Sequence, residues 1–126
     1  GNLQVNNTVE SANIALSSDK RLKKNILPLH NTLYTISKLN PVSYNKKASL
    51  SSNDYFIKEF GFIAQELKNV LPDLVNESND KDKILSVNYN AIIPLLTKGI
   101  QEQQEEIIEL KKEISELKKL ILKSHK

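Results

Sequence analysis

A chain of 126 residues, 39% hydrophobic and 26% charged, is long enough for one domain with a modest core and short of what two domains or a large enzyme pocket need. It has no cysteine, and His30 and His125 are its only histidines, which excludes disulfides, thiolate metal sites and a histidine cluster; no metal and no cofactor is expected. The net charge of +3 comes from lysines that alternate with glutamates rather than with aromatics, and no apolar run nears the roughly 20 residues of a bilayer span, so neither nucleic acid nor a membrane is expected as a partner.

The opening GNLQVNNTVE lacks the basic and apolar blocks of a signal peptide. Residues 3–16 set Leu3, Val5, Val9, Ile14 and Leu16 among polar residues around an Asn6-Asn7 turn signal and predict short strands. The next stretch, SSDKRLKKN, is polar and basic, and its plain reading is a helix start capped at Ser18 or Asp19. Leu33, Ile36 and Leu39 recur at helical spacing behind the caps Asn31 and Thr32, and Pro41 ends that helix. Residues 46–54 form a solvated loop. YFIKEFGFI, residues 55–63, is rich in aromatic and β-branched residues and predicts a strand in which Gly61 allows a bulge or a close backbone approach. Ala64, Leu67 and Val70 then mark the inner face of a short helix stopped by Pro72. After the loop NESNDKDK, the alternation of Leu85, Val87 and Tyr89 predicts another strand. Asn90 is placed to cap the last helix, with Pro94 in its first turn. The expected fold class is α+β.

From Ile93 the sequence carries Ile93, Leu96, Ile100, Gln103, Ile107, Leu110, Ile114, Leu117 and Ile121, alternating steps of three and four. This is a heptad seam of about four repeats, with isoleucine at every a position and leucine at every d position except Gln103. A seam so narrow cannot be covered by water and needs a partner; the alternative is a helix that folds back on its own domain. The g residues Glu106 and Glu113 precede the e residues Lys111 and Lys118 by five positions, so a parallel homo-oligomer opposes glutamate to lysine whereas an antiparallel one opposes like charges. Each such exposed pair is worth only about 0.2–1 kcal/mol; it selects orientation while the apolar seam supplies stability. Isoleucine at a with leucine at d leans towards two strands, and Gln103 is a polar d residue able to set register or copy number.

A hydroxyl and an amine in SSDKRLK, Ser18 and Lys23, are the minimum for a serine-lysine nucleophile pair. Their five-residue offset matches neither a helix face nor one side of a strand, so pairing requires a bend between them. Arg21 stands alone among 18 basic residues, which marks a position where a planar, multi-donor guanidinium is wanted, unless chance put it there. Gln65 and Glu66 read either as ordinary polar positions of a short helix or, for Glu66, as a partner for Arg21.

SSDKRLKKNI resembles the opening of the intramolecular chaperone domain of endosialidases, phage tail fibres and neck appendages, whose motif Ser-Asp-x-Arg-x-Lys is matched by Ser18, Asp19, Arg21 and Lys23. FGFIAQEL, Phe60 to Leu67, is similar to that family's Gly-Phe-x-Ala-Gln-Glu segment. SVNYNAIIPLLTKGIQEQQ, Ser86 to Gln104, is similar to its Val-x-Tyr-x-x-Leu-x-Pro-Leu-Leu helix start, with Asn88 where an aspartate is common. The resemblance runs in order over residues 18–121. A related domain occurs in membrane-tethered transcription factors of the myelin regulatory type, which leaves a second origin open.

The resemblance implies a single-turnover serine endopeptidase that cuts its own chain between Ser17 and Ser18. In that reading Ser18 is the nucleophile and Lys23 the general base, with Asp19, Arg21 and Glu66 in support. An ordinary lysine amine has a pKa of about 10.4, so roughly 4 in 10,000 are neutral at pH 7, and a lysine base needs burial or a like charge such as Arg21 beside it. The resemblance further implies a parallel homotrimer whose site is completed on assembly. The chain then divides into residues 1–17, the end of an upstream β-fibre segment; 18–90, the chaperone and protease core; and 91–126, the coiled-coil helix. On this reading the chain belongs to a phage tail or virion precursor assembled in the host cytoplasm, and 18–126 leave after the cut. A plain coiled-coil module without chemistry would instead stay uncut.

Overall fold

The computed structural model describes residues 15–125. The strands expected over 3–14, and most of the 1–17 segment, lie outside the described residues. Leu16, placed in a strand by its alternation, is irregular and exposed. The chain stays irregular, apart from one 3-10 turn at Lys20–Leu22, until helix α1, Thr32–Ser37.

Asn31 precedes α1 in the left-handed conformation, φ 54°, which a short polar side chain tolerates, but that side chain caps nothing. The cap comes from elsewhere. The carboxylate of Glu102 accepts from the Thr32 N–H at 3.3 Å, the Leu33 N–H at 3.0 Å and the Thr32 hydroxyl at 2.6 Å. A negative group at the N-terminus of a helix satisfies its free donors and suits its dipole, so a tertiary contact does the work the sequence assigned to Asn31. The helix ends at Ser37, short of Leu39, because the residue before Pro41 is driven out of helical geometry.

Two antiparallel hairpins follow. Strand β1, Val42–Lys46, pairs with β2, Ile57–Gly61, in the register Val42 to Gly61 through Lys46 to Ile57. The predicted strand over 55–63 is thus trimmed at both ends, and β1 is an element that a five-residue segment behind a proline did not announce. Gly61 is where the backbone comes closest to a side chain: a Cβ there would lie 2.2 Å from the Tyr89 hydroxyl oxygen and 2.8 Å from that of Tyr44. The Tyr89 hydroxyl accepts from the Phe62 N–H at 2.9 Å, and the two rings stack at 6.0 Å. Of the two alternatives for Gly61, close approach is the one realised. Helix α2, Ala64–Val70, buries Leu67 and runs into a second 3-10 turn that opens on Pro72, as its spacing predicts.

Strand β3, Val75–Glu77, pairs with β4, Leu85–Val87. Of the loop expected over 76–83, Asn76 and Glu77 join β3 and residues 78–83 remain a loop. There the Asp80 carboxylate accepts from the Ser78 hydroxyl and from the N–H groups of Asp82 and Lys83, and these bonds hold its pKa below the usual carboxylate range. A 3-10 turn, Tyr89–Ala91, leads directly into α3, Ile92–Ser124. Asn90 lies inside that turn and does not cap α3; the helix starts from Ala91 without a side-chain cap because the preceding turn is already wound. Pro94 sits within the first turn of α3, where its missing N–H costs no hydrogen bond.

The result is the expected α+β class: short antiparallel strands, two short helices and one helix of 33 residues, about 50 Å long at ~1.5 Å per residue. The core is small. Among the described residues only Leu67, Ile92 and Leu95 are buried large apolar side chains, joined by Thr32 at 1% exposure. Helix α1 packs across α3 at Gly99, where a Cβ would come within 2.5 Å of Ile36 Cδ1.

The Glu102 clip carries a pH signature. Hydrogen bonding, from the Thr32 hydroxyl first, lowers its pKa below the ordinary 4.5. A carboxylate depressed in the folded state contributes stability that is present above the unfolded value and lost as pH falls through the folded one. The Leu33 amide resonance is therefore expected to hold its position from pH 7 down to about 4.5 and to shift only below it, whereas in Glu102→Gln the acid-dependent shift disappears. A Leu33 amide that titrates near neutrality would contradict this.

Candidate functional site

The 3-10 turn at Lys20–Leu22 is the bend that the Ser18 and Lys23 spacing requires. Asp19 starts it: its carboxylate accepts the Arg21 N–H at 2.8 Å, and the Leu22 and Lys23 N–H groups close the turn onto the carbonyls of Asp19 and Lys20, each at 3.0 Å. The plain reading of Asp19 as a cap is thus met on a 3-10 turn rather than on a helix. Reversing the chain here brings the Lys23 ammonium to Ser18, where Nζ donates to Oγ at 2.5 Å.

Arg21 and Asp19 form a two-pronged pair, Nε to Oδ1 at 3.0 Å and Nη2 to Oδ2 at 2.9 Å. The guanidinium holds the Asp19 carboxyl below its usual range and is itself raised in turn. Lysine has no planar fork for this geometry, which is a physical use for the only arginine. Asp19 is thereby engaged by Arg21, and among the described residues Lys23 forms no ion pair. Glu66, on α2, accepts instead from Asn40 Nδ2 at 3.2 Å, so within one chain it does not hold Arg21, and Gln65 beside it is exposed.

Every residue from 15 to 31 is exposed, including Leu22, Ile26 and Leu27. The hydrogen-bonded Ser18 and Lys23 are therefore not enclosed by the described residues of their own chain. The same holds for α3. Its eight apolar seam residues are each between 44% and 66% exposed, and every residue from 103 to 125 is exposed, so the described residues of the same chain pack on the start of the helix and leave its seam uncovered. No helix among the described residues is long and apolar enough to cross a membrane, and no group of three potential metal ligands occurs among them.

Residues 18–76 match the model of a peptidase family described as chaperone of endosialidase, and the match opens on Ser18. Residues 18–76 of this chain belong to that family. Similar proteins are long tail fiber proteins Gp37. That of Enterobacteria phage K3 is 34% identical over 116 residues, 90% of this chain and 9% of the relative; that of Salmonella phage S16 is 38% identical over 109 residues, 84% and 15%. That of Enterobacteria phage Ox2 is 36% identical over 102 residues, 79% of this chain and 41% of the relative. The chaperone-of-endosialidase chain thus spans between about a tenth and two fifths of the length of these relatives.

Sequence reasoning singled out Ser18, Lys23 and the seam and read Thr32 as a cap, but missed Glu102, which Thr32 and Leu33 bond, and Gly99. A glycine inside a strong helix was the available signal for a close helix crossing. Glu102 carried none, being one glutamate among several on that helix.

Proposed function

We propose that this chain is the chaperone of a phage tail fibre: three copies associate in parallel through α3, hold the preceding fibre strands in register, and then release themselves by cutting between Ser17 and Ser18. The observation that carries the reading is the Lys23 to Ser18 hydrogen bond at the first residue of the family match. The names of the relatives favour a fibre over a membrane-bound transcription factor.

In the proposed step Ser18 Oγ attacks the Ser17 carbonyl carbon while Lys23 takes the hydroxyl proton. Lys23 returns a proton to the Ser18 nitrogen as the C–N bond breaks, and water then hydrolyses the ester left on Oγ. A lysine able to accept that proton needs dry surroundings or a nearby like charge, and exposed Ser18 and Lys23 gain the former only when other chains cover them. Assembly would therefore gate the chemistry. Joining chains removes part of the entropy cost of long-range β pairing, and release of the chaperone leaves the fibre without its folding route, so its stability becomes kinetic. Sedimentation of the chain as a trimer, beside a denaturing gel that resolves 18–126 from 1–17 over time, is the expected result; a stable uncut monomer would overturn the proposal.

A further inference from the structure

We propose that the groove between α1 and α3 is the seat of Ile100 from an adjacent copy of this chain, so that α1 is itself part of the assembly interface; this deepens, and rests on, the parallel association proposed above. The groove holds about 290 Å³ and is lined by Leu33 and Ile36 of α1 and by Leu96, Gly99, Ile100 and Gln103 of α3. That is roughly ten times the ~30 Å³ that liquid water gives one molecule, enough for a branched aliphatic side chain.

The four α3 residues are not an arbitrary set. In the heptad register they are d, g, a and the next d. In knobs-into-holes packing each knob enters a hole made by four residues of the facing helix, and for an a residue in a parallel pair those four are the preceding d and g, the a at its own level, and the following d. The α3 side of the groove is thus the hole that a neighbour's Ile100 requires. Ile100 is 66% exposed in its own chain and awaits such cover.

Gly99 explains why α1 belongs to it. The next two g positions carry Glu106 and Glu113, whose side chains flank the seam; Gly99 has none, and Ile36 stands where a side chain would go. Helix α1 thereby replaces the missing g residue with two apolar walls, Ile36 and Leu33. The Glu102 clip onto Thr32 and Leu33 fixes that wall within one turn of Gly99. The core domain and the coil would then find their register together, since a neighbour seated at Ile100 touches both.

The natural chain has no cysteine, so single thiols can be placed freely. Chains carrying Ile36→Cys and differently sized, tagged chains carrying Ile100→Cys are assembled together and treated with a short bifunctional thiol cross-linker; Leu33→Cys serves as a second wall position should Ile36→Cys fail to fold. The expected result is a covalent product joining the unlike chains, in yield at least equal to the Ile100→Cys like-chain product. Adding Gly99→Leu, which refills the g position, is expected to remove the unlike product and spare the like one. If only like-chain Ile100→Cys product forms, α1 is outside the interface and this inference falls while the parallel seam stands. If no product forms and the natural chain sediments as a monomer, both fall.

Discussion

Ser18→Ala is expected to leave the chain at full length on a denaturing gel through a time course in which the natural sequence is expected to resolve into 1–17 and 18–126, and Lys23→Ala is expected to slow the cut by about 10²–10⁴-fold, the usual share of a general base. In the proposed step the serine takes the acyl chain, so nothing would substitute for its oxygen. Lysine has a second test. Lys23→Arg keeps the charge and much of the reach, and a lysine whose role is only to hold Ser18 in place would be rescued by it. A guanidinium stays protonated at any accessible pH and cannot take the proton, so this variant is expected to remain uncut as well. Neither change touches the small core around Leu67, Ile92 and Leu95, and sedimentation should be unaltered. Efficient cutting in Ser18→Ala or Lys23→Ala removes the dyad from the account.

Ile114→Ala is expected to break the assembly apart. Truncating a packed isoleucine costs about 2–5 kcal/mol, and in a parallel trimer three copies of the same layer are lost together, about 6–15 kcal/mol in all. At 1.4 kcal/mol per decade the association constant falls at least about ten-thousandfold, and sedimentation shifts from trimer to monomer. Ile108→Ala supplies the control, because Ile108 sits one position off the seam, is 57% exposed, and as a surface change is expected to move stability by no more than about 0.5 kcal/mol. If the site is walled by neighbouring chains, Ile114→Ala also slows the cut although Ile114 makes no hydrogen bond or ion pair with Ser18 or Lys23. A cut that proceeds at full rate in the monomeric variant would separate the chemistry from assembly.

Several elements of the fold can be read from residue order because their determinants are local. Helix α2 follows from the spacing of Ala64, Leu67 and Val70 and the stop at Pro72, and Gly61 was legible as a point of close approach. Strands β1 and β3 were not legible. Three to five residues such as Val42–Lys46 have too little pattern to be read alone and become strands only by pairing, β1 with β2 and β3 with β4. The caps failed for a related reason: Asn31 and Asn90 have the right chemistry beside a helix start, but the donors at α1 found a better acceptor 70 residues away.

The candidate site divides in the same way. Ser18, Asp19, Arg21 and Lys23 were identifiable as residue types, and so was the need for a bend, but the 3-10 turn that closes Lys23 onto Ser18 and pairs Arg21 with Asp19 depends on backbone geometry that spacing does not encode. What the sequence by itself determined is the helix that ends the chain and the apolar seam along it, since a three-and-four repeat on one continuous element needs no other part of the molecule to define which face is greasy. Only the tertiary structure decided that the described residues of the chain leave the seam uncovered, that Glu102 fastens α1 beside it, and that Gly99 opens a groove there. Those features join residues far apart in the chain, and such contacts exist only once packing has brought them together.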